Sequence, residues 1–360
     1  MQRVRPARML IHPASRAETT PPDSPPMTAI RPRLVVATLI AVLASAFAPA
    51  ALAQTRPAGA PAPVRVEPAP AYGFHQPYLL VLPAELEPGA PVVVVFPTPT
   101  TSRDPADFLA AAERMATNAA PLLLSLKAPI LVPVLPRPPV KAGTGYINLY
   151  IPALTRAAML AEEPALARMD RQILAMADHA RSRLARERQV ATAEKVVFVG
   201  FSAGGQAATR MAVLHPERTL AAWAGGMGGM PILPVAEYEG QALTYPVGVA
   251  DLDVVAGRPF DAQAFARVPV FIVQGSADTN TSIPADDAPS DSYSAEHGRL
   301  LRRTFGTTWQ ERLEKVRPVY EAANANVTFR IYEGVPHRIT PEMAADMVQF
   351  LREQIDTAKG

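Results

Sequence analysis

The sequence predicts an α/β fold, with a mostly parallel central sheet of about eight strands and helices on both faces. Short apolar runs rich in valine and isoleucine alternate with longer segments whose apolar residues follow a helical period. Hydrophobic residues make up 49% of the 360 residues and charged residues only 19%, so the chain can bury a large core. The chain shows no internal repeat, which favours one sheet over a stack of repeated units.

The amino-terminal 53 residues lie outside this alternation and are typical of a secretory leader. Arg31 and Arg33 precede an apolar run over residues 34–47, and a small-x-small cleavage site ends at Ala53. The run is short for a membrane span of about 20 residues and is followed by Pro49. We therefore expect cleavage after Ala53, no stable membrane insertion, and a periplasmic or secreted protein. The alternative is an uncleaved membrane anchor.

The leader also sets the predicted division of the chain. Met27 is a better start than Met1, because residues 1–26 add only a basic, proline-rich stretch. The predicted regions are an extension and signal peptide over 1–53, an Ala/Pro-rich linker with one short strand over 54–72, and one α/β domain over 73–360, with insertions near 225–266 and 279–326.

Each element follows from a local pattern. Runs of β-forming apolar residues predict strands over 77–83, 91–97, 128–136, 196–199, 220–227, 268–275 and 327–334. Helical spacing predicts helices over 104–119, 168–188, from Gln206 onward, over 309–323 and over 340–355. Asp104 is the expected N-cap of its helix, because Pro105 suits the first helical position.

A serine stands where one apolar run changes into a helical pattern, in "VVFVGFSAGGQAA". Gly-x-Ser-x-Gly alone is a weak signal, because it occurs by chance in about one chain in ten of this length. Between a buried strand and a helix, the same pattern is typical of a strained turn that lifts the hydroxyl above the sheet edge. Ser202, between Gly200 and Gly204, is therefore the predicted nucleophile.

A serine hydroxyl needs a base within hydrogen-bond reach and a carboxylate that orients the base. His337 lies in the loop that leaves the last predicted strand and is the preferred base. The remaining histidines lie in the leader, before the first core strand, within or at the end of helices, or in a polar connection: His12, His75, His179, His215 and His297. Of these, His215 is expected at a helix carboxyl end.

The acid is expected at the carboxyl end of a strand between the serine and the histidine. Asp278 follows the strand at 268–275 most directly and is the preferred acid. Four other aspartates of this interval compete for the role: Asp251, Asp253, Asp286 and Asp287. Among these, Asp251 and Asp253 stay open as alternatives, in case the acid follows the preceding strand.

With these residues, the sequence resembles the α/β-hydrolase superfamily over roughly residues 78–354. The order Ser202, Asp278, His337 is the order that this superfamily uses. The opening segment "YLLVLPAELEPGAPVVVVFP" is also similar to that of secreted esterases and of polyester and feruloyl-ester depolymerases. The resemblance implies the α/β-hydrolase fold and an acyl-enzyme mechanism.

The resemblance also implies an oxyanion hole, with one departure. Its first donor would be the N–H of Ala203, directly after the nucleophile. Its second donor would come from the loop after the third strand, where this chain has Pro99, which carries no N–H. Thr98 or Thr100 would have to take that role.

Aromatic and methionine residues on loops or strand ends are the predicted pocket wall: Tyr146, Tyr150, Trp223, Met227, Met230 and Tyr245. Their apolar character favours an acyl or aromatic ester over a sugar or a phosphate. The expected function is a secreted serine hydrolase that cleaves small or polymeric carboxylic esters. The alternatives are a serine peptidase or amidase with the same triad, and a non-catalytic envelope binding protein on a hydrolase scaffold.

Composition excludes several other classes. The chain has no cysteine, which rules out disulfides, thiolate metal sites and a lipoprotein anchor. No metal and no cofactor are expected: the stretch after Asp278 begins like a calcium loop, but Ile283 and Pro289 replace the required glycine and glutamate. Without positions 1–53 the formal net charge changes from +2 to −2, since 29 basic residues then face 31 acidic ones. Nothing in that balance points to nucleic acid.

Overall fold

The predicted sheet is present in the computed structural model, which describes residues 61–99, 102–138, 149–283 and 288–359. The strands are β1 (Val64–Val66), β2 (Tyr78–Val81), β3 (Val93–Val95), β4 (Ile130–Pro133), β5 (Val196–Phe201), β6 (Thr219–Gly225), β7 (Glu237–Tyr238), β8 (Gln241–Ala242), β9 (Val270–Gly275) and β10 (Val327–Tyr332). Eight of them form one sheet in the order β1-β2-β4-β3-β5-β6-β9-β10, and β7 and β8 form a separate hairpin. The prediction of about eight strands is confirmed.

Helices flank the sheet. The α-helices are α1 (Pro105–Leu123), α2 (Arg156–Met159), α3 (Met169–Arg188), α4 (Ala203–Leu214), α5 (Leu252–Ala256), α6 (Ala262–Phe265), α7 (Ala295–Phe305), α8 (Trp309–Ala322) and α9 (Pro341–Thr357). Short 3₁₀ turns occur at Pro70–Tyr72, Leu124–Leu126, Ile151–Ala153 and Pro216–Arg218. As predicted, α1 begins at Pro105, and the Oδ1 of Asp104 accepts a hydrogen bond of 2.9 Å from the N–H of Ala106.

Strand direction explains where a site can form. β1 pairs antiparallel with β2, and β2 pairs antiparallel with β4. From β4 to β10 every pairing in the sheet is parallel. The carboxyl ends of the parallel strands therefore meet at one edge, where α/β proteins usually bind ligands.

The strands bury side chains on both faces, with the alternation that a pleated strand requires. Val197 and Val199 of β5 pack in the layer that contains α1 and α9. Phe198, between them, packs in the opposite layer with Met211 of α4 and Met176 of α3. The continuous apolar runs of the sequence are thus explained by helices that cover both faces.

Two elements bear on the expectations. β1 lies where one short strand was expected within the linker, but it pairs with β2 and so extends the sheet at its edge, ahead of the predicted domain start at residue 73. The second element was not expected. α7 lies in a connection expected to be a polar loop. Its apolar residues Leu300, Leu301 and Phe305 are buried on one helical face, and the Ser294 side chain accepts a hydrogen bond from the N–H of His297.

The expected leader and the first seven residues of the expected linker lie outside the described residues. Within the described ranges, no helix is both long enough and apolar enough to cross a bilayer.

Candidate active site

Ser202 occupies a strained turn between β5 and α4. Its backbone angles are φ 59° and ψ −125°, in a region that residues with a side chain rarely adopt. A Cβ on Gly200 would lie 2.0 Å from the carbonyl oxygen of Gly204, so the strand and the helix can approach this closely only without that side chain. A Cβ on Gly204 would lie 2.9 Å from the Cβ of Phe96 at the end of β3. Both glycines of the motif are therefore required by close approach.

Asp278 and His337 form a hydrogen-bonded pair at the same edge of the sheet. The Nδ1 of His337 lies 2.8 Å from the Oδ2 of Asp278. Because a carboxylate can only accept, Nδ1 carries the proton and Nε2 is left available as a base. The Asp278 side chain is 1% exposed, whereas the His337 side chain is 34% exposed and thus accessible to a substrate.

Two further donors hold the buried carboxylate. The Nε2 of Gln274 donates to Oδ2 of Asp278 at 2.9 Å, and the N–H of Asn280 donates to Oδ1 at 2.9 Å. The indole N–H of Trp309 donates to the backbone carbonyl of Asp278 at 3.1 Å. These bonds fix the orientation of the carboxylate independently of its bond to His337.

The loops that carry the acid and the histidine are bonded to each other. The N–H of Ala277 donates to the carbonyl of Val335 at 3.1 Å, and the N–H of Gly334 donates to the Oγ of Ser276 at 2.7 Å. A Cβ on Gly275 would lie 2.0 Å from the carbonyl oxygen of Val335, so a glycine is needed where these two loops cross.

The histidine also lies beside the serine turn. The ring of Phe201, the residue before Ser202, is 4.9 Å from the ring of His337 between centroids. Within the described part of the chain, Ser202 makes no hydrogen bond to His337. Such bonds often form only when substrate is bound. The structure thus brings the three predicted catalytic residues to one edge, and their catalytic role stays a prediction.

The alternative bases and acids are engaged elsewhere. His179 bonds to Tyr78, His215 to Asp170 and His297 to Thr244, and the N–H of His75 donates to Gln172. Asp251 accepts from the N–H of Tyr245 at 2.8 Å and pairs with Arg156, while Asp253 is exposed on α5. His12, Asp286 and Asp287 lie outside the described residues. His215 is indeed the C-cap residue of α4, but its ring binds a buried carboxylate.

The expected oxyanion donors differ in how they are placed. Ala203 is the first residue of α4, and the first N–H groups of a helix have no partner inside it. Thr98 is exposed in the loop after β3 and is not one of the described residues that line the cleft at Ser202. Thr100 lies outside the described residues.

Of the six predicted wall residues, Tyr150 and Met227 line the cleft at Ser202. Trp223 was wrongly predicted: it is 0% exposed and points into the layer of α1 and α9, because residues alternate along β6. Tyr245 was also wrongly predicted, since it is 0% exposed and its hydroxyl donates to the Leu154 carbonyl. Met230 lines a different cavity, and Tyr146 lies outside the described residues.

The rest of the described wall is polar, contrary to the apolar wall expected. Its residues are Gln206, Asn280, Thr281, Ser282, Ser290, Asp291 and Ser292. Polar loops after β9 carry most of them, and no local pattern distinguishes such a wall from an ordinary surface loop. Gln274 was also missed. Its signal was a single amide side chain at the end of an otherwise apolar strand, "VFIVQG".

Burial raises the pKa of the Tyr150 phenol well above its ordinary value, although the charge of Arg137 opposes the shift. The Arg137 guanidinium lies 4.9 Å from the centroid of the Tyr150 ring and forms an ion pair of 2.5 Å with Asp291. The phenol therefore stays neutral and able to donate. In the described part of the chain, no group of three or more histidine, aspartate or glutamate side chains is arranged to hold a metal ion.

No protein-family model and no curated protein sequence matches this chain. Among solved structures, poly(aspartic acid) hydrolase-1 from Sphingomonas sp. KT-1 is similar with a TM-score of 0.51 and 17% identity, over 82% of this chain and 99% of that one. The LpqC poly(3-hydroxybutyrate) depolymerase from Bordetella parapertussis has a TM-score of 0.48 and 17% identity, over 82% and 89% of the two chains. Est1E from Butyrivibrio proteoclasticus has a TM-score of 0.42 and 14% identity, over 82% and 99%.

Identities this low speak to the fold alone. The strand order, the parallel pairings and the similarity to the Sphingomonas protein together show that this chain has the α/β-hydrolase fold. The fold implied by the sequence resemblance is therefore confirmed.

Proposed function

We propose that this protein is a serine hydrolase that cleaves carboxylic esters through an acyl-enzyme on Ser202. The observation that carries the proposal is the 2.8 Å hydrogen bond between His337 and the buried Asp278 carboxylate, beside a serine on a strained strand-to-helix turn. Gln274 and the N–H of Asn280 hold the same carboxylate. A structural histidine needs no such turn next to it, whereas nucleophilic catalysis needs all three groups.

In the proposed reaction, the Nε2 of His337 takes the proton from the Oγ of Ser202 as that oxygen attacks the ester carbonyl carbon. The Asp278 carboxylate holds the ring and stabilises its positive charge. The N–H of Ala203 binds the oxyanion, and Thr98 would have to turn from the exposed loop after β3 toward the cleft to serve as the second donor. His337 then gives its proton to the leaving alcohol, and water repeats both steps to release the acid.

An ester is favoured over a peptide with a free amino terminus by the charges at the cleft. Recognition of an ammonium group requires an unpaired carboxylate at the pocket. Asp291 lines the cleft but is paired with Arg137, and Glu162 and Glu163 are exposed on the loop after α2. The polar wall supports a substrate with polar groups near the carbonyl, small or polymeric.

The test is covalent labelling of residues 54–360 with a fluorophosphonate, followed by intact-mass measurement. We expect one adduct on the wild type, none on Ser202→Ala, and labelling slowed by at least about 100-fold on His337→Ala and Asp278→Asn. His297→Ala is the matched control, because that histidine bonds to Thr244, away from the cleft, and its loss should leave labelling unchanged.

Circular dichroism of each protein shows whether it is folded. A folded wild type that takes no adduct contradicts the hydrolase and favours the binding-protein alternative. A labelled wild type that cleaves amides and no ester in a paired panel of acyl substrates favours the peptidase or amidase.

We also propose that the enzyme acts outside the cytoplasm. The support is the order of charged, apolar and small residues over 27–53, which is typical of a cleaved export signal.

A further inference from the structure

A second, apolar cavity lies behind the catalytic cleft, between the sheet and α8. Its apolar lining residues include Met227, Met230, Ile272, Leu313, Val316 and Phe329. The cavity measures about 40 Å³. One water-sized group needs about 10–15 Å³, so there is room for about three such groups.

The polar residues at the wall of this cavity are already engaged. The Gln274 amide donates to Asp278, and the Arg312 guanidinium donates to the carbonyls of Gly229, Gly306 and Thr307. The third, Arg330, forms ion pairs with Glu342 and Asp346. The cavity therefore offers apolar surface to an occupant, and a hydrocarbon chain suits it better than a polar group.

Among the described residues, Met227 is the one that lines both the catalytic cleft and this cavity. Its side chain lies against the start of α4: a Cβ on Gly205 would come within 3.0 Å of the Cγ of Met227. Gly205 is the third residue after Ser202. Met227 thus stands between the nucleophile turn and the apolar space.

The backbone around Met227 is fixed although it is glycine-rich, "GGMGG". The Met227 carbonyl accepts from Gln206 at 2.9 Å, and the Gly228 carbonyl accepts from the N–H of Ser282 at 2.9 Å. A Cβ on Gly228 would lie 2.5 Å from the Nδ2 of Asn280, so this segment is also closely packed. Movement at this point is therefore left to the unbranched, flexible Met227 side chain.

We propose that Met227 is a gate between the catalytic cleft and the apolar cavity, and that the substrate carries an apolar acyl chain which passes Met227 into that cavity. The proposal rests on the proposed function and names its substrate class: esters whose acyl chain is polar or short near the carbonyl and apolar beyond it. Rotation of Met227 admits the chain, and the other cavity walls stay in place.

The experiment compares kcat/KM for p-nitrophenyl butanoate and heptanoate in the wild type and in Met227→Ala. Removal of the gate side chain should raise the heptanoate/butanoate ratio about tenfold, because the longer chain then enters the cavity without displacing a side chain. Met176→Ala is the matched control, since it removes a buried methionine on α3 that lines neither space, and the ratio should stay within about twofold.

Leu313→Trp tests the cavity from the side of α8, at a residue that does not line the cleft. In the wild type it should lower the ratio about fivefold, and with Met227→Ala it should remove the tenfold gain. This variant keeps the proposal testable if Met227→Ala does not fold. Two results would overturn the gate. The first is an unchanged ratio of kcat/KM values in a folded Leu313→Trp variant. The second is a double variant, Met227→Ala with Leu313→Trp, that keeps the higher ratio of Met227→Ala alone.

The two proposals fail in different ways. If the wild type cleaves butanoate and takes the fluorophosphonate, but neither variant moves the ratio, the gate is wrong and the serine esterase stands. If the wild type cleaves neither ester and takes no adduct, both are wrong.

Discussion

The position of Ser202 depends on two nearby glycines, whose lack of a side chain lets the strand and the helix approach each other. Gly200 and Gly204 face each other across the turn, and no other residue fits at Gly200 without moving the strand from the helix. The strained φ of Ser202 follows from this close approach, and it directs the hydroxyl to the sheet edge. At the residue scale, therefore, packing fixes the nucleophile more than any property of serine.

We expect Gly200→Ala to lower the free energy of unfolding by about 3 kcal/mol or more, because its methyl group would overlap the Gly204 carbonyl. Displacement of Ser202 should also slow fluorophosphonate labelling about 100-fold. Gly298→Ala is the matched control: its Cβ would lie no closer than 3.5 Å to Arg302, and alanine favours the helix by up to about 1 kcal/mol. Urea unfolding measures the stability of the two variants, and fluorophosphonate labelling measures the reactivity of Ser202 in each. Equal stability of the two variants would show that the turn accommodates a methyl group at position 200, contrary to this prediction.

At the scale of elements, two helices meet through a buried hydrogen bond between Asp170 and His215, remote from the cleft. Asp170 in the first turn of α3 bonds to His215 at the end of α4, at 2.8 Å, and to Arg168 at 2.6 Å. Burial by itself would raise the pKa of Asp170, but the hydrogen bonds from His215 and Arg168 outweigh it and hold that pKa far below its ordinary value. The carboxylate is therefore a structural tie between the helices.

We expect Asp170→Asn to lower the free energy of unfolding by about 3 kcal/mol at pH 7, because it leaves the Arg168 guanidinium and the buried His215 ring without their carboxylate partner. A lowered folded pKa contributes stability above the unfolded pKa of about 3.9 and loses it as the pH falls below that value. The gap between wild type and variant should therefore narrow from pH 5 to pH 2 in urea unfolding curves. A constant gap would contradict this linkage.

Asp178→Asn is the control for that measurement. Its carboxylate pairs with Arg181 and Arg218 but is 44% exposed, so solvent screens the pairs and the loss should stay below about 1 kcal/mol.

At the scale of the whole molecule, two apolar layers support one reactive edge. Helices α1 and α9 cover one face of the sheet and α3 and α4 cover the other, so the carboxyl ends of β5, β9 and β10 are held rigidly next to each other. The loops after these strands carry Ser202, Asp278 and His337. The predicted leader over residues 1–53 lies outside the described residues, and export stays a prediction from the sequence.

We expect the full chain, produced in a bacterial host, to yield a mature protein that begins at Gln54. Ala53→Arg should block the cut, because the cleavage site accepts only small residues at that position. Intact mass of the protein recovered from the periplasm or medium measures the cut. Thr55→Arg lies two residues past the site and should be cleaved like the wild type. Wild-type protein that retains residues 27–53 would support the uncleaved anchor.

Local pattern alone determined the alternation of strands and helices, the Gly-x-Ser-x-Gly turn and the order Ser202, Asp278, His337. These features depend on residues that are close in the sequence. A run of valines favours a strand by itself, and the glycines of the turn lie within two residues of the serine. The start of α1 at Pro105 belongs to the same class.

Only the tertiary structure decided which side chains face the cleft. Trp223 and Met227 are four residues apart in one apolar stretch, yet strand alternation buries the first in the far layer while the loop after β6 brings the second to the serine. Likewise, the hydrogen bond from Gln274 to Asp278 and the polar wall at Asn280 and Ser292 depend on how distant loops pack. A sequence records residue types, whereas the face on which each residue lies is fixed by the layers that close over the sheet.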